Sequence, residues 1–126
     1  MAYLLRCAPY FPVHDVDRTV GHYQRVFGFG VEYAAGEPAE FAIVSRDGLA
    51  LMLRRVSREH RIVPNAEQGG AWDAFFWVKD ADKLFDELCA HGADVVYPPT
   101  LQSYGTIEFA IRDVNGYVLG FGENPE

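Results

Sequence analysis

The side chains of this 126-residue chain that can do chemistry are four histidines, a few strand-borne carboxylates and an aromatic stripe. Imidazole nitrogens that converge with carboxylate oxygens hold divalent metals or move protons. His14 sits where a strand-like run turns into a helix-like one, His22 on that helix, His60 in a polar stretch and His91 at a second helix end. None lies inside a strand-like run facing a shared cleft, so each reads as a solvated or capping residue. Asp73 and Glu108 lie in strand-like runs and can both reach a cleft. Two carboxylates without imidazole make a poor transition-metal site. A different chemistry is open to the run Asp73–Val78. Alternation places Asp73, Phe75 and Trp77 on one face and Ala74, Phe76 and Val78 on the other. Aromatic rings beside a carboxylate suit a flat or cationic molecule. The same stripe is also how a core strand reads, and Phe76 and Phe109 are assigned to core.

Other catalytic constellations are missing from the sequence. There is no G-x-S-x-G, no phosphate-cradling loop and no G-x-G-x-x-G after a strand. Gly28-Phe29-Gly30 falls at a helix end and serves as stop punctuation. Cys7 and Cys89 have no C-x-x-C spacing, and two buried thiols in a reducing cytoplasm are expected.

The elements that must position these groups come in two copies. His14-Asp15-Val16-Asp17-Arg18 recurs in type as Lys79-Asp80-Ala81-Asp82-Lys83, and Glu40-Phe41-Ala42-Ile43 recurs letter for letter as Glu108-Phe109-Ala110-Ile111. Each EFAI run leads into a charged glycine turn, Arg46-Asp47-Gly48 or Arg112-Asp113-Val114-Asn115-Gly116, and then into an apolar run. Repeats in the same order indicate duplicated modules. Each half reads as strand, helix and three strands, giving an α+β fold of two tandem βαβββ modules, a curved mixed sheet around a cleft with helices outside. In the first half, a strand over Tyr3–Val13 precedes a helix capped by Asp15, with Val16, Val20, Tyr23 and Phe27 on its buried face. Strands follow near Gly30–Tyr33, Glu40–Arg46 and Leu49–Arg55. In the second, Trp72–Lys79 is a strand and Asp80 caps a helix buried through Leu84, Phe85 and Leu88. Strands follow near Asp94–Tyr97, Thr106–Arg112 and Tyr117–Gly122. The chain is expected to be one domain, with module one at about 1–56, a linker at about 57–70 and module two at about 71–126.

Composition bounds the partners. A net charge of −7 argues against nucleic acid, whose phosphates demand a basic surface. No apolar run reaches membrane-spanning length, and the first residues lack the pattern of a signal peptide, so no membrane partner and a cytoplasmic location are expected.

The two-module order, Asp15-Val16-Asp17-Arg18-Thr19-Val20 with Tyr23 and Phe27-Gly28-Phe29, and Arg112-Asp113-Val114-Asn115-Gly116-Tyr117 resemble the vicinal-oxygen-chelate superfamily. That superfamily includes glyoxalase I, extradiol dioxygenases and the fosfomycin- and bleomycin-resistance proteins. Val114 and Asn115 depart from its common proline and acidic residue in the turn. The layout is most similar to the bleomycin-resistance proteins, through Pro9, Arg112-Asp113 and the linker run Ser57–Val63. The resemblance implies a homodimer whose ligand cleft is built by both subunits.

Metal-using members carry four ligands, which by this resemblance fall on Ala8, Met52, Asp73 and Gly120. Only Asp73 can ligate a metal, so neither metal nor other cofactor is expected. The positions that share this face include Tyr10, Met52, Asp73, Phe75 and Trp77, with Asp73 available to pair a cation. Tyr104, in a loop that can close over a ligand, completes the expected ligand-binding set, and Trp72 is placed near the dimer interface or cleft mouth. The function implied is a metal-free protein that sequesters an aromatic or cationic compound. Two alternatives stand: a glyoxalase- or dioxygenase-like metal-dependent lyase, isomerase or oxygenase, and a regulatory or structural dimer whose cleft is merely core.

Overall fold

The computed structural model describes residues 1–125. The elements run β1 (Tyr10–Val13), α1 (Val16–His22) continuing through a wider π-type turn (Tyr23–Phe27), β2 (Gly30–Ala35), β3 (Phe41–Arg46) and β4 (Leu49–Arg55). A short 3-10 turn (Asn65–Gln68) leads to β5 (Ala74–Trp77), α2 (Ala81–Ala90), β6 (Asp94–Leu101), β7 (Ile107–Arg112) and β8 (Val118–Glu123). They form two four-stranded sheets of the same design, β1-β4-β3-β2 and β5-β8-β7-β6. In each, the first strand runs parallel to the last and the remaining pairs are antiparallel. These are the two βαβββ modules the repeat requires.

Local chemistry explains most of the boundaries. Asp15 Oδ1 accepts the backbone N–H of Arg18 at 2.9 Å and caps α1. The turn Asp47-Gly48 carries two positive φ angles, 53° and 79°, which is the two-residue geometry that matches the strand twist of a hairpin. Three expectations are overturned. Asp80 does not cap α2: it adopts a left-handed conformation at φ 59° and its side chain makes no cap bond. The carboxylate of Glu123, at the end of β8, accepts the Ala81 N–H at 2.8 Å instead. Glu123→Ala should therefore destabilise the protein by about 1 kcal/mol, as loss of a helix cap does, while Asp80→Ala should not cost a cap. Urea midpoints of the two variants check this.

The strand expected from Tyr3 begins only at Tyr10. Pro9 lacks an N–H for the ladder, and the residues before Tyr10 form an arm without regular secondary structure, whereas Pro12 is accommodated within β1. Arg6 anchors this arm with a two-bond ion pair to Glu32 of β2, at 2.9 and 3.0 Å, and a bond to the Gly48 carbonyl at 3.2 Å. Beyond that anchor Tyr3, Leu4 and Leu5 are exposed. The two cysteines are exposed as well, Cys7 because it lies on the arm and Cys89 because it faces outward from α2.

The modules pack against each other through the helical side of each sheet. Phe11 stacks on Tyr117 with centroids 4.4 Å apart, Phe27 faces Phe121, and Phe29 meets Phe76 edge-on. Tyr23 reaches across from the first module to donate its hydroxyl to Asp113 Oδ2 at 2.6 Å, and both residues are buried. Tyr117 returns the link by donating to the Pro12 carbonyl at 2.5 Å. With one face of each sheet used this way, the opposite faces remain available.

Candidate functional site

The register of the second sheet sets out its outer face in rows. One row is Phe75, Gly120, Ala110 and Tyr97, and the next is Trp77, Gly122, Glu108 and Thr100. In the first row small residues occupy the central strands and aromatic ones the outer strands, so around Gly120 the face is a trough with ring walls; in the second row Glu108 stands on a central strand and Thr100 on an outer one. Gly120 and Gly122 are required there by close approach. A Cβ on Gly120 would lie 2.5 Å from Trp72 Cδ1 and 2.7 Å from Phe75 Cδ1, and one on Gly122 would lie 2.5 Å from Phe75 Cζ. The rings therefore rest directly on bare backbone. Trp72 and Phe75 are 4.6 Å apart, and Phe75 meets Trp77 edge-on at 5.1 Å. The Trp72 indole N–H donates to the Tyr97 hydroxyl at 2.9 Å and ties the two walls together. Trp77 nevertheless keeps 69% of its surface exposed.

The outer face of the first sheet is its counterpart. Tyr10, Met52, Ile43 and Tyr33 form one row, and Pro12, Arg54, Phe41 and Ala35 the next. Arg54 donates to the Tyr10 hydroxyl at 3.1 Å and lies over the Phe41 ring at 5.1 Å. Tyr10 and Tyr33 are each 55% exposed.

The expected site residues thus divide between two surfaces. Tyr10 and Met52 are neighbours on the first sheet; Phe75 and Trp77 are neighbours on the second, and the Tyr104 hydroxyl bonds to Glu108 of that same sheet. No ring contact joins Tyr10 to Phe75 or Trp77 among the described residues. Asp73 is committed to the backbone: Oδ1 accepts the Asn65 N–H at 2.9 Å and Oδ2 the Val118 N–H at 2.8 Å. It holds the linker to the start of β8, beside a groove of about 440 Å³ that also contains Tyr10, His60 and Arg61. Tyr97 was not signalled by the sequence. It joins the aromatic wall only because irregular pairing on either side of it resets the strand register of β6.

The four positions that the resemblance assigns to metal ligands do not suit a metal here. Ala8, Met52 and Gly120 offer no hard or imidazole donor, and both Asp73 oxygens are engaged. Among the described residues no three His, Cys, Asp or Glu side chains converge. His14 Nε2 lies 2.7 Å from the His60 carbonyl, and His22 is partly buried on α1, where desolvation, Arg25 and Arg18 lower its pKa.

A separate cavity of about 400 Å³ opens between the β3–β4 turn and α2, floored by Phe27, Phe29, Phe76 and Phe121. It arises from the unequal turns of the two modules. The longer Asp113–Gly116 turn fills the matching space over α1, through Tyr23–Asp113 and an Asn115 bond to Thr19, whereas the short Asp47-Gly48 turn leaves a gap bridged by Arg46–Glu87 at 2.7 Å. Its rim balances Arg46, Lys79 and Lys83 against Asp47, Asp80 and Glu87. That balance favours no charge type, and the trough is the better candidate.

Comparison with known proteins agrees with this architecture. The model of the Glyoxalase/Bleomycin resistance protein/Dioxygenase superfamily matches residues 4–121. No curated protein sequence matches the chain. Among solved structures, TioX from Micromonospora sp. ML1 is 26% identical, with 96% of this chain and 99% of that one covered at a TM-score of 0.77. The bleomycin resistance determinant encoded on the transposon Tn5 is 21% identical, covering 98% and 100% at 0.77. The bleomycin-binding protein of bleomycin-producing Streptomyces verticillus, solved with copper(II)-bleomycin, is 23% identical, covering 100% of both chains at 0.72. Among the described residues, no helix is long and apolar enough to cross a membrane.

Proposed function

Because the chain belongs to the glyoxalase/bleomycin resistance protein/dioxygenase superfamily, we propose that it is a metal-free binding protein of the bleomycin-resistance kind. It sequesters an aromatic or cationic small molecule in a cleft completed by a second copy of the chain. The observation that carries this reading is the trough of the second sheet, with Trp72, Phe75 and Tyr97 seated around Gly120 and Trp77 left exposed. Flat ligands gain most from preorganised ring walls of this sort. The unsuitable metal positions favour sequestration over a Lewis-acid mechanism, and the bleomycin-binding Streptomyces relative supports the ligand class.

Phe75 and Trp77 would form one wall of the cleft with Tyr104 as its movable cover, and Tyr10 and Met52 of the second copy the other. Asp73 would act from the edge, holding the linker in place. The homodimer is supported by two open aromatic sheet faces and by the exposed arm residues Tyr3, Leu4 and Leu5, surfaces that a soluble monomer rarely leaves uncovered.

The test is a tryptophan fluorescence titration with metal-free bleomycin in the presence of a chelator, alongside sedimentation equilibrium. Saturable quenching is expected from a species of dimer mass. Trp77→Ala should weaken binding by at least about tenfold, as loss of a central aromatic anchor does, while Arg58→Ala in the linker leaves it unchanged. A wild-type protein that shows no quenching, or that sediments as a monomer, would reject the shared-cleft reading.

A further inference from the structure

Glu108 is 3% exposed, yet it sits on the outer, aromatic face of the second sheet. Its Cγ lies 3.2 Å from the point where a Gly122 side chain would begin, and the tip of the Phe75 ring lies 2.5 Å from that same point. Carboxylate and ring thus share the floor of the trough. Among the described residues, no arginine, lysine or histidine forms an ion pair with Glu108. The partner it has is the Tyr104 hydroxyl, 2.8 Å from Oε1 and 2.7 Å from Oε2. A hydroxyl carries a single proton, so it can satisfy only one of the two oxygens at a time. The other oxygen is open to a further donor, and a cationic donor would bond it most strongly.

The cover over this carboxylate is easily moved. Tyr104 is 64% exposed and stands in a tight turn closed by the Gln102 N–H to the Thr106 carbonyl and the Gly105 N–H to the Gln102 carbonyl. Its side chain can rotate away without disturbing the core. Glu108 also pushes the Tyr104 phenol up to about 12, which keeps it a proton donor.

We propose that Glu108 is the counter-charge for an ammonium or amidinium group on the ligand, and that Tyr104 is the cover this group displaces. This rests on the trough being the ligand cleft, and it narrows the ligand to an aromatic molecule bearing a cation. The rings of Phe75 and Trp77 hold the flat part, and the N–H donors of the cation fill both Glu108 oxygens once the phenol has turned aside.

Two matched probes test this by calorimetry on the full chain at neutral pH: 4-phenylbenzylamine, which is cationic, and 4-phenylbenzyl alcohol, which is not. The amine is expected to bind about tenfold tighter than the alcohol. Glu108→Gln should reduce that preference, read as the ratio of the two affinities in the same variant, to within about twofold. Tyr104→Phe, which removes the competing hydroxyl and leaves the floor untouched, should tighten the amine by about threefold. An unchanged amine preference in Glu108→Gln, equal binding of both probes to wild type, or no gain in Tyr104→Phe would each overturn the role of Glu108 while the cleft reading stands. If neither probe binds wild-type protein, the cleft reading itself falls, and this inference with it.

Discussion

Asp113→Ala is expected to destabilise the protein by about 3–5 kcal/mol, or about 10 °C or more in melting temperature. The magnitude follows from how many donors one carboxylate serves. Oδ2 accepts the Tyr23 hydroxyl, and Oδ1 accepts the backbone N–H groups of Asn115 at 2.8 Å and Tyr117 at 3.0 Å. Alanine would strand the Tyr23 phenol, which has no exposed surface, and would loosen the turn that joins β7 to β8 across α1. Asp113→Asn retains an oxygen for the turn and should cost about 1–2 kcal/mol. Urea midpoints at a common slope check both, and an alanine variant within 1 kcal/mol of wild type would refute the account.

A pH dependence accompanies this pair. Burial pushes the Asp113 carboxyl above its ordinary 3.8, against the downward pull of the bonds from Tyr23, Asn115 and Tyr117. Burial likewise holds the Tyr23 phenol well above its ordinary range, reinforced by Asp113, so it remains a donor. The folded acid keeps its proton more tightly than the unfolded one does. The added stability that this tighter proton binding brings is therefore complete below 3.8 and is lost as pH rises through the folded value, leaving the hydrogen bonds to Tyr23, Asn115 and Tyr117 as the remaining contribution. Asp113→Asn lacks this loss. The stability gap between wild type and the asparagine variant should accordingly narrow as pH climbs from below 3.8 towards neutrality.

A valine at Gly120 is expected to damage the trough more than the fold. Its Cβ would have to occupy space 2.5 Å from Trp72 and 2.7 Å from Phe75, so both rings must leave their seats and the Trp72–Tyr97 bond must break. Overpacking of this kind costs about 1–3 kcal/mol. Ligand affinity, which depends on the placement of the same rings, should fall by at least about tenfold. Valine favours extended backbone, so strand propensity cannot cause the loss. Gly30→Ala is the control, since nothing lies within 4 Å of an added Cβ there. Unfolding curves and the bleomycin titration together check the prediction, and unchanged quenching would separate Gly120 from the ligand site.

Local patterns in the chain were enough to read the tandem architecture. The two EFAI runs became β3 and β7 because alternation and the glycine turns after them are properties of a few adjacent residues. Asp15 was legible as a cap for the same reason, its carboxylate needing to reach only three residues onward. Asp80 carries the same signal and fails, because the acceptor for Ala81 comes from Glu123, 42 positions away. The arm before Tyr10 looked like a strand since its composition suits one, but strand formation needs a ladder of backbone bonds, and among the described residues only the Pro9 carbonyl, which accepts the Met52 N–H at 2.9 Å, ties the arm to an edge.

The candidate site divides in the same way. Phe75, Trp77 and Tyr104 could be picked out by alternation and residue type, whereas their setting could not. That the two sheets turn their aromatic faces outward rather than towards each other follows from which faces the cross-module contacts Phe11–Tyr117, Phe27–Phe121 and Tyr23–Asp113 consume. That Asp73 is bound to backbone on both oxygens depends on a strand 45 positions on, through Val118, whereas the phenol that serves Glu108 comes from Tyr104, four positions before it. Residue type and spacing, acting over a few neighbours, determined the two modules and their aromatic stripes. Only the tertiary structure decided that Asp73 is consumed while Glu108 lies beneath those rings with no ion pair among the described residues, because the Val118 N–H that engages Asp73 arrives from a strand that sequence proximity does not connect to it.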